Sequence, residues 1–246
     1  MRVLSLIHQA EGPSGVFADA VAEAGHELVE WNMGQRQRLP DEDFPAVLVF
    51  GGAMHVDEED RHPWLRHEHA FLAELVARDV PVLGVCLGGQ LLAKAVGASV
   101  RRLPTPEIGW FPVTLTDEAR ADPVLGGLPR RFDSLQWHSY AFELPDGGVL
   151  LARNDRCDQA FRVGEAAWGL QFHAEVTRRT LHAWIASPRT GEDDGIDRAA
   201  LRARTDGRIR RWNELGKTIC GRFLAVAESR GATAGAATTR ATSPRS

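Results

Sequence analysis

The clearest chemical pattern in this 246-residue chain is a cysteine between two glycines. The segment Gly84-Val85-Cys86-Leu87-Gly88 follows a short apolar run and precedes a stretch with helical spacing. A nucleophile at such a strand–turn–helix elbow has a strained backbone, and the glycines let strand and helix pack closely around it. The helix N-terminus adds backbone N–H groups for an oxyanion. The pattern predicts that Cys86 is a nucleophile. The alternative, a buried structural cysteine, is our prediction for Cys157 and Cys220.

A thiol that transfers acyl groups needs an imidazole to move protons and a third group to orient that imidazole. His173 follows the apolar, strand-like segment 169–172, and Glu175 lies two residues further on. In an extended chain, residues i and i+2 project to the same side, so the Glu175 carboxylate can hold the imidazole. We predict a Cys86–His173–Glu175 triad; the alternative is a surface His-x-Glu pair. His138 is a competing base that ranks lower, because no carboxylate lies two residues from it.

Several further histidines lie between residues 55 and 69, beside the acidic run at 57–60. Their spacing differs from the metal-binding pattern His-Glu-x-x-His, and His67 and His69 do not share a helix face. A solvated helix start explains this segment better than a metal site does. We therefore predict no metal and no other cofactor.

Strands and helices alternate over the first hundred residues. Apolar runs and helical spacing predict strands at 3–7, 26–31, 47–50 and 80–85, and helices at 16–24 and after Pro63. This alternation is typical of a parallel sheet with helices on both faces. Frequent Pro and Gly then separate short predicted strands at 113–116, 149–152 and 159–163. We predict an α/β fold with an open, mostly parallel sheet and a smaller antiparallel sheet.

Helical spacing returns at residues 177–185 and 198–226, on either side of an acidic loop at 191–195. The last residues, from Gly231 to Ser246, carry no large apolar side chain and cannot contribute to a core. We predict one domain at residues 1–227 and a disordered low-complexity tail at residues 228–246.

The composition excludes several classes of protein. A formal charge of −4, from 29 basic and 33 acidic side chains, offers no polybasic surface for nucleic acid or anionic lipid. No stretch approaches the roughly 18 apolar residues that span a bilayer, and the apolar run at residues 3–7 is too short for a signal peptide. Three cysteines are a sparse and odd set, which favours a reducing compartment. We expect a cytoplasmic protein that binds neither nucleic acid nor membranes.

Together, these motifs resemble those of the class I, or triad-type, glutamine amidotransferases. The segment 84–90 resembles the nucleophile motif of that family, and the segment 169–175 resembles its His-x-Glu motif, with Ala174 where Pro is usual. Gly51-Gly52-Ala53 resembles its oxyanion loop. The likeness is greatest to stand-alone, GMP synthase-like members. It extends over roughly residues 1–227, including segments 107–110 and 136–138.

The resemblance implies a flavodoxin-like amidotransferase fold and a thioester mechanism. Cys86 would attack the side-chain amide of glutamine or another γ-glutamyl amide, ammonia would leave, and water would release glutamate. His173 would protonate the ammonia and later activate the water. Backbone N–H groups of Gly52 and Leu87 would bind the oxyanion.

The resemblance also implies contacts with the substrate. Gln90, one helical turn beyond Cys86, would help to hold it, and Ser139 and Tyr140 would contact the α-amino and carboxylate groups. Ser139 stands where Gly is usual, a change that is compatible with a larger substrate.

Several functions stay open at this point. No nucleotide-binding fingerprint follows the predicted triad. Either a separate synthetase subunit accepts the ammonia, or the enzyme acts alone as a hydrolase of γ-glutamyl peptides or conjugates. A non-catalytic homologue that binds a partner is a third alternative. A flavodoxin-like redox or chaperone protein is a fourth, although it would need neither His173 nor the Gly51-Gly52 loop.

Overall fold

The computed structural model describes residues 1–36, 38–187 and 195–241, with side chains up to residue 232. The strands in these residues are β1 (Arg2–Ile7), β2 (Glu27–Asn32), β3 (Ala46–Val49), β4 (Val82–Val85), β5 (Val100–Leu115), β6 (Arg131–Phe142), β7 (Val149–Arg153), β8 (Asp158–Val163) and β9 (Ala167–Leu170). The helices are α1 (Gly15–Glu23), α2 (Met33–Arg36), α3 (Trp64–Ala77), α4 (Leu87–Ala95), α5 (Arg178–Ala186), α6 (Arg198–Asp206) and α7 (Ile209–Ala241), with a short 3-10 helix at Glu118–Ala121.

One twisted sheet organises the described residues. Its strands lie in the order β2-β1-β3-β4-β9-β8-β7-β5-β6. The first five of these are mutually parallel, and the pairs from β9 to β6 are antiparallel. The α/β fold class is confirmed. The antiparallel strands continue the same sheet through the β8–β9 pair, because β9 is parallel to β4 on one side and antiparallel to β8 on the other.

Helices cover both faces of the parallel strands, as the continuous apolar character of those strands predicts. Strands β3, β4 and β9 are buried along their whole length. On one face, α1 and α7 pack together over a large core that includes Phe17, Trp168 and Phe223. On the other face, α3 and α4 enclose a second core that includes Leu65 and Leu91.

The parallel strands end at one edge of the sheet and deliver polar or flexible residues there. His8 follows β1, the Gly51-Gly52 pair comes shortly after β3, Cys86 follows β4, and His173 lies three residues beyond β9. Strands β4 and β9 are direct neighbours, with Val85 opposite Leu170. Ligands of open α/β sheets bind at this carboxyl edge, so the topology alone brings the two predicted reactive side chains together.

In the C-terminal region, the helical stretch predicted at 198–226 is divided at Gly207 into α6 and α7. The backbone of α7 continues to Ala241. Residues 242–246, and positions 191–194 of the acidic loop, lie outside the described residues. The division into a domain at 1–227 and a tail at 228–246 stays a prediction.

None of the helices in the described residues combines the length and the apolar character that crossing a membrane requires.

Candidate active site

Cys86 lies between β4 and α4, and its backbone is strained. Its φ of 54° and ψ of −110° fall outside the regions that residues with a Cβ usually adopt. Such a conformation costs about 1–3 kcal/mol and persists only where the surroundings enforce it. Here the Cys86 N–H donates to the Leu170 carbonyl at 2.7 Å, and the Cys86 carbonyl accepts from the Gln90 N–H at 2.9 Å. Strand and helix thereby fix the thiol at the N-terminus of α4, the elbow that the sequence predicts.

The glycines around Cys86 permit close backbone contacts. A Cβ at Gly88 would lie 2.1 Å from the carbonyl oxygen of Val49, and a Cβ at Gly84 would lie 2.5 Å from the carbonyl oxygen of Gly88. Neither atom is the end of a flexible side chain, so larger residues would push β3, β4 and α4 apart. The Gly-x-Cys-x-Gly pattern is therefore a packing requirement of the elbow.

His173 and Glu175 lie beside this elbow, almost fully buried. His173 Nδ1 is 2.8 Å from Glu175 Oε1. Three neighbouring elements fix the backbone of this segment. The His173 N–H donates to the Leu135 carbonyl of β6 at 2.9 Å, and the Trp212 indole of α7 donates to the His173 carbonyl at 2.8 Å. The Val16 N–H of α1 donates to the Glu175 carbonyl at 2.8 Å.

Glu175 and Cys86 together set the protonation state of His173. Burial alone lowers the pKa of a histidine, because it disfavours the charged form. Electrostatic interactions with Glu175 and Cys86 and the hydrogen bonds of the imidazole to both groups outweigh this burial, so the pKa of His173 is raised well above its usual value. Because Nδ1 is bonded to Glu175, Nε2 is the ring nitrogen that remains for the thiol. The Cys86 thiol also donates to the Trp137 carbonyl at 3.9 Å. The arrangement places a thiol beside an imidazole of raised pKa.

The predicted oxyanion donors lie at the same cleft. Gly52 and Leu87 line it together with Cys86. Leu87 is the first residue of α4, so its N–H has no acceptor within the helix. The Gly51-Gly52 loop lies close to both His173 and Cys86. A Cβ at Gly51 would lie 2.9 Å from His173 Cε1 and 3.6 Å from Cys86 Cβ. A glycine at position 51 therefore allows the loop to reach the thiol and the imidazole.

The predicted substrate residues Gln90, Ser139 and Tyr140 line the same cleft. The Gln90 side chain of α4 donates to the Tyr140 carbonyl of β6 at 2.7 Å and so ties the helix to the strand. The Tyr140 ring stacks on His55, with 4.3 Å between ring centres. The cleft has a volume of about 20 Å³, little more than the space of one water molecule.

His138 has a carboxylate partner that local spacing did not reveal. Glu107 of β5 lies opposite His138 of β6, and His138 Nε2 is 3.2 Å from Glu107 Oε2. The other ring nitrogen, Nδ1, lies 2.8 Å from the Tyr140 carbonyl. Both nitrogens of His138 therefore face acceptors, and neither serves Cys86. No carboxylate lies two residues from His138, as the sequence shows; its carboxylate partner comes from the neighbouring strand β5. His138 lines the cleft with both ring nitrogens turned towards groups other than the thiol.

Glu107 is the centre of a buried polar cluster. Its carboxylate accepts from Asn154 Nδ2 at 2.8 Å and from Gln159 Nε2 at 3.1 Å, and the Cys157 thiol donates to it at 3.5 Å. Burial acts to raise the pKa of Glu107, but His138 and these hydrogen bonds lower it below its usual value. The result is an anchored carboxylate that holds His138 and, through it, the Tyr140 carbonyl.

Glu107, His138 and Cys157 also form the one group of three metal-ligand side chains in the described residues, with donor atoms within 4.8 Å of one another. The protein's own polar contacts engage all three side chains. Burial and the Glu107 charge raise the pKa of the Cys157 thiol, which opposes the thiolate that a metal requires. The histidines of residues 55–69 do not contribute to such a group in the described part of the chain.

A second, larger cavity borders Cys86 on the His173 side. It has a volume of about 290 Å³ and is lined by Cys86, His173, Glu175, Glu11, Trp137 and Trp184 among others. The Trp137 and Trp184 rings meet edge to face at 5.6 Å, and Trp184 meets His173 in the same way at 5.0 Å. The Trp184 indole donates to the Glu11 carbonyl at 2.8 Å. Sequence reasoning did not identify Trp184 or Glu11, because no local motif contains them.

The other two cysteines are buried away from this chemistry. Burial raises the pKa of the Cys220 thiol to about 12, and its sulfur donates to the Phe17 carbonyl at 3.7 Å. Cys157 belongs to the Glu107 cluster. The three cysteines are all free thiols.

Comparisons with known proteins agree with this geometry. Residues 16–187, more than half of the chain, match the family of class-I glutamine amidotransferases. The glutamine amidotransferase-like protein YfeJ of Salmonella typhimurium is 26% identical over 87% of this chain and 91% of its own. A GMP synthase (glutamine-hydrolyzing) of Thermosipho melanesiensis is 31% identical over 64% of this chain, but the match covers only 29% of that protein.

A solved structure supports the same assignment. The crystal structure of a glutamine amidotransferase from Thermotoga maritima superposes with a TM-score of 0.82 and 30% identity, covering 91% of this chain and 98% of that one. The matching family, the shared fold and the convergence of Cys86, His173 and the Gly51-Gly52 loop at one sheet edge lead to a single assignment. This chain belongs to the class I glutamine amidotransferase family.

Proposed function

We propose that the protein hydrolyses the side-chain amide of glutamine through a thioester on Cys86, releasing ammonia and glutamate. The observation that carries this proposal is the hydrogen-bonded Glu175–His173 pair beside the strained Cys86 elbow. A structural cysteine needs neither a strained backbone nor a buried imidazole with a raised pKa. The triad of Cys86, His173 and Glu175 thus has the three parts that nucleophilic acyl transfer requires.

In the first half of the reaction, the Cys86 sulfur attacks the γ-carbonyl carbon. The carbonyl π electrons move to the oxygen, and the N–H groups of Gly52 and Leu87 donate to this oxyanion. When the tetrahedral intermediate collapses, the C–N bond breaks and His173 gives its proton to the departing nitrogen. Ammonia leaves, and the γ-glutamyl group remains on the sulfur as a thioester.

In the second half, His173 accepts a proton from water as the water oxygen attacks the thioester carbon. The C–S bond breaks, glutamate leaves, and the proton returns to the Cys86–His173 pair. Glu175 holds the imidazole and stabilises its cationic form in both halves. No step requires a metal or an organic cofactor.

For substrate binding, we propose that Gln90, Ser139 and Tyr140 hold the α-amino and α-carboxylate end of glutamine. The cleft at these residues is too small for a glutamine side chain, so we expect Tyr140 and His55 to move apart when the substrate enters. The Tyr140 backbone is tied to Gln90 and His138, whereas its ring stacks on His55 and its hydroxyl bonds to Asp57, both in the segment between β3 and α3. The Tyr140 ring and this segment are therefore the parts that we expect to move.

The test uses two variants of the nucleophile and one control. Cys86→Ala and Cys86→Ser are expected to abolish ammonia release from glutamine. Cys220→Ser is the control, because Cys220 is a buried thiol outside the cleft that donates to the Phe17 carbonyl. It is expected to retain the activity. A diazo-ketone analogue of glutamine should label Cys86 in the wild-type protein, as detected by mass spectrometry of peptides. Full activity of Cys86→Ala would refute the mechanism, and an unlabelled Cys86 in an inactive wild type would favour a non-catalytic, partner-binding homologue.

The second candidate function is hydrolysis of γ-glutamyl amides of larger amines, such as peptides or conjugates. The 290 Å³ cavity favours it, because this cavity lies on the side of His173, the group that protonates the leaving nitrogen. Ammonia needs no such volume, whereas an amine with an apolar substituent would fill the space against the Trp137 and Trp184 rings.

Comparison of two substrates separates the candidates. Ammonia release from glutamine is measured beside the cleavage of a chromogenic γ-glutamyl anilide, in the wild type and in Trp184→Ala. Preference for the anilide, with that preference reduced in Trp184→Ala, is the result expected of the second candidate. Preference for glutamine supports the first candidate. In that case, we propose that a separate synthetase subunit accepts the ammonia, which co-purification would detect.

The cellular location is also a proposal. Three free, buried cysteines suit a reducing compartment, and we propose that the protein acts in the cytoplasm without binding nucleic acid or membranes. Fractionation of cells that express the tagged chain tests this.

A further inference from the structure

His8 is the first residue after β1, and its side chain is fully buried. Its Nδ1 lies 3.2 Å from the Gly51 carbonyl oxygen. Its Nε2 lies 3.1 and 3.2 Å from the two carboxylate oxygens of Glu68 in α3, which is also fully buried. A carbonyl oxygen and an ionised carboxylate only accept hydrogen bonds. With Glu68 as the carboxylate, each ring nitrogen of His8 therefore carries a proton, and the side chain is an imidazolium.

The surroundings of His8 stabilise this cation. Trp64 stacks on the imidazole with 5.4 Å between ring centres. Burial acts to lower the pKa of His8, but the Glu68 charge, the hydrogen bond to Glu68 and the carbonyls of Gly51 and Phe50 raise it above its usual value. The cation–carboxylate pair compensates both buried charges, which is the condition under which such a pair persists in a core.

The geometry of the Gly51–Gly52 peptide connects this pair to the cleft. A trans peptide is planar, so its C=O and N–H groups point in opposite directions. The chain contains no cis peptide bond in the described residues. Because His8 holds the Gly51 carbonyl, the Gly52 N–H points away from His8. Gly52 lines the cleft beside Cys86, and its N–H has no acceptor among the residues that the structure describes.

Two consecutive glycines would otherwise leave this peptide free to rotate. A Cβ at Gly52 would lie 3.0 Å from His8 Cβ and 2.5 Å from Met54 Sδ, so the loop already lies directly on His8. A preset donor costs no reorganisation during the reaction. The direction of the Gly52 N–H therefore depends on what holds the Gly51 carbonyl.

We propose that His8 and Glu68 are positioning residues that fix the Gly51–Gly52 peptide and so aim the Gly52 N–H at the oxyanion of the intermediate. This inference rests on the proposed function. His8 and Glu68 do not contact the substrate in this scheme; they act through the loop. Removing them should affect the tetrahedral species much more than the bound substrate or the thiol itself.

The test replaces the whole pair by apolar residues, in the double variant His8→Phe/Glu68→Leu. An apolar replacement of a buried ion pair often preserves stability, and the phenyl ring can keep the stacking on Trp64. We expect kcat for glutamine to fall about 10²–10³-fold, the cost of one lost oxyanion donor, with KM changed by less than about threefold. His8→Asn offers an amide N–H near the place of Nδ1, so it should recover part of kcat.

Two further measurements distinguish positioning from general damage. Glutamate γ-semialdehyde, which adds to the thiol as a tetrahedral hemithioacetal, should bind the double variant more weakly by about the factor lost in kcat. Alkylation of Cys86 by iodoacetamide, which needs no oxyanion donor, should keep its wild-type rate.

The inference is overturned if the double variant keeps the kcat or the aldehyde affinity of the wild type. It is also overturned if the rate of Cys86 alkylation falls by the same factor as kcat. Where the wild-type protein itself neither hydrolyses glutamine nor binds the aldehyde, the proposed function fails, and with it the premise of this inference. A negative result confined to the double variant thus contradicts this inference, whereas an inactive wild-type protein contradicts the proposed function.

Discussion

Helix α7 packs against the His173–Glu175 segment, and two of its glycines allow this contact to be tested by the same substitution. Gly216 faces the loop: a Cβ there would lie 2.0 Å from the Ala174 carbonyl oxygen and 3.1 Å from its carbon. Gly221, in the next part of the helix, would place a Cβ with nothing within 4 Å. The same substitution, Gly→Ala, therefore meets a backbone carbonyl at one position and open space at the other.

The expected effects have opposite signs. Ordinary contacts of a Cβ begin at 3.4 Å, so Gly216→Ala must move the loop or the helix by about 1.4 Å, at an overpacking cost of about 1–3 kcal/mol. For a domain of this size, that lowers the Tm by about 2–12 °C. Gly221→Ala removes a helix-interior glycine, which stabilises by about 0.5–1 kcal/mol, or about 1–4 °C.

Activity should separate the two variants as well. Ala174 lies between His173 and Glu175, and a displacement of about 1 Å in a catalytic group can lower the rate about 10²-fold. We expect Gly216→Ala to lose most of its glutaminase activity and Gly221→Ala to keep it. Thermal unfolding followed by circular dichroism and the release of ammonia give the two readouts. A Gly216→Ala protein with the Tm and kcat of the wild type would show that α7 does not fix the catalytic segment.

Two other substitutions test single contacts. Glu175→Gln removes the charge that raises the pKa of His173, so the imidazolium should lose its proton at lower pH and the alkaline limb of the pH–rate profile should move to lower pH; an unmoved limb would contradict the role of Glu175. Glu107→Gln weakens the hold of His138 on the Tyr140 carbonyl, so KM for glutamine should rise about tenfold with a smaller change in kcat. Equal KM values in wild type and variant, from steady-state kinetics, would exclude that role.

Much of the candidate site follows from the sequence because its signals are local. The Cys86 elbow occupies five consecutive residues, and the His173–Glu175 pair occupies three. Each is tied to the end of an apolar strand, and parallel strands must end at a common edge. The fold class could be predicted for the same reason, since alternating strands and helices leave few arrangements of a parallel sheet.

The parts that could not be predicted depend on register and on long-range packing. Glu107 meets His138 only because β5 pairs with β6 in one particular register, which is shifted by an irregularity between Arg102 and Glu107. Trp184 reaches the cavity through the packing of α5, and Glu68 reaches His8 across sixty residues of chain. A signal for His8 was present, however. It is a polar residue directly after a buried parallel strand, the same position that Cys86 occupies.

Three nearly fully buried pairs of histidine and carboxylate lie around the Cys86 cleft in the described residues: His8–Glu68, His138–Glu107 and His173–Glu175. In each pair a buried carboxylate faces one ring nitrogen of the histidine, so the two polar groups compensate each other. The three histidines differ in the partner of their second ring nitrogen. In His8 this nitrogen faces the Gly51 carbonyl, and in His138 it faces the Tyr140 carbonyl, so both histidines contact backbone that borders the cleft. The second nitrogen of His173 is left for the thiol. In the proposed function, this one difference makes His173 the proton carrier, while His8 and His138 position the backbone around it.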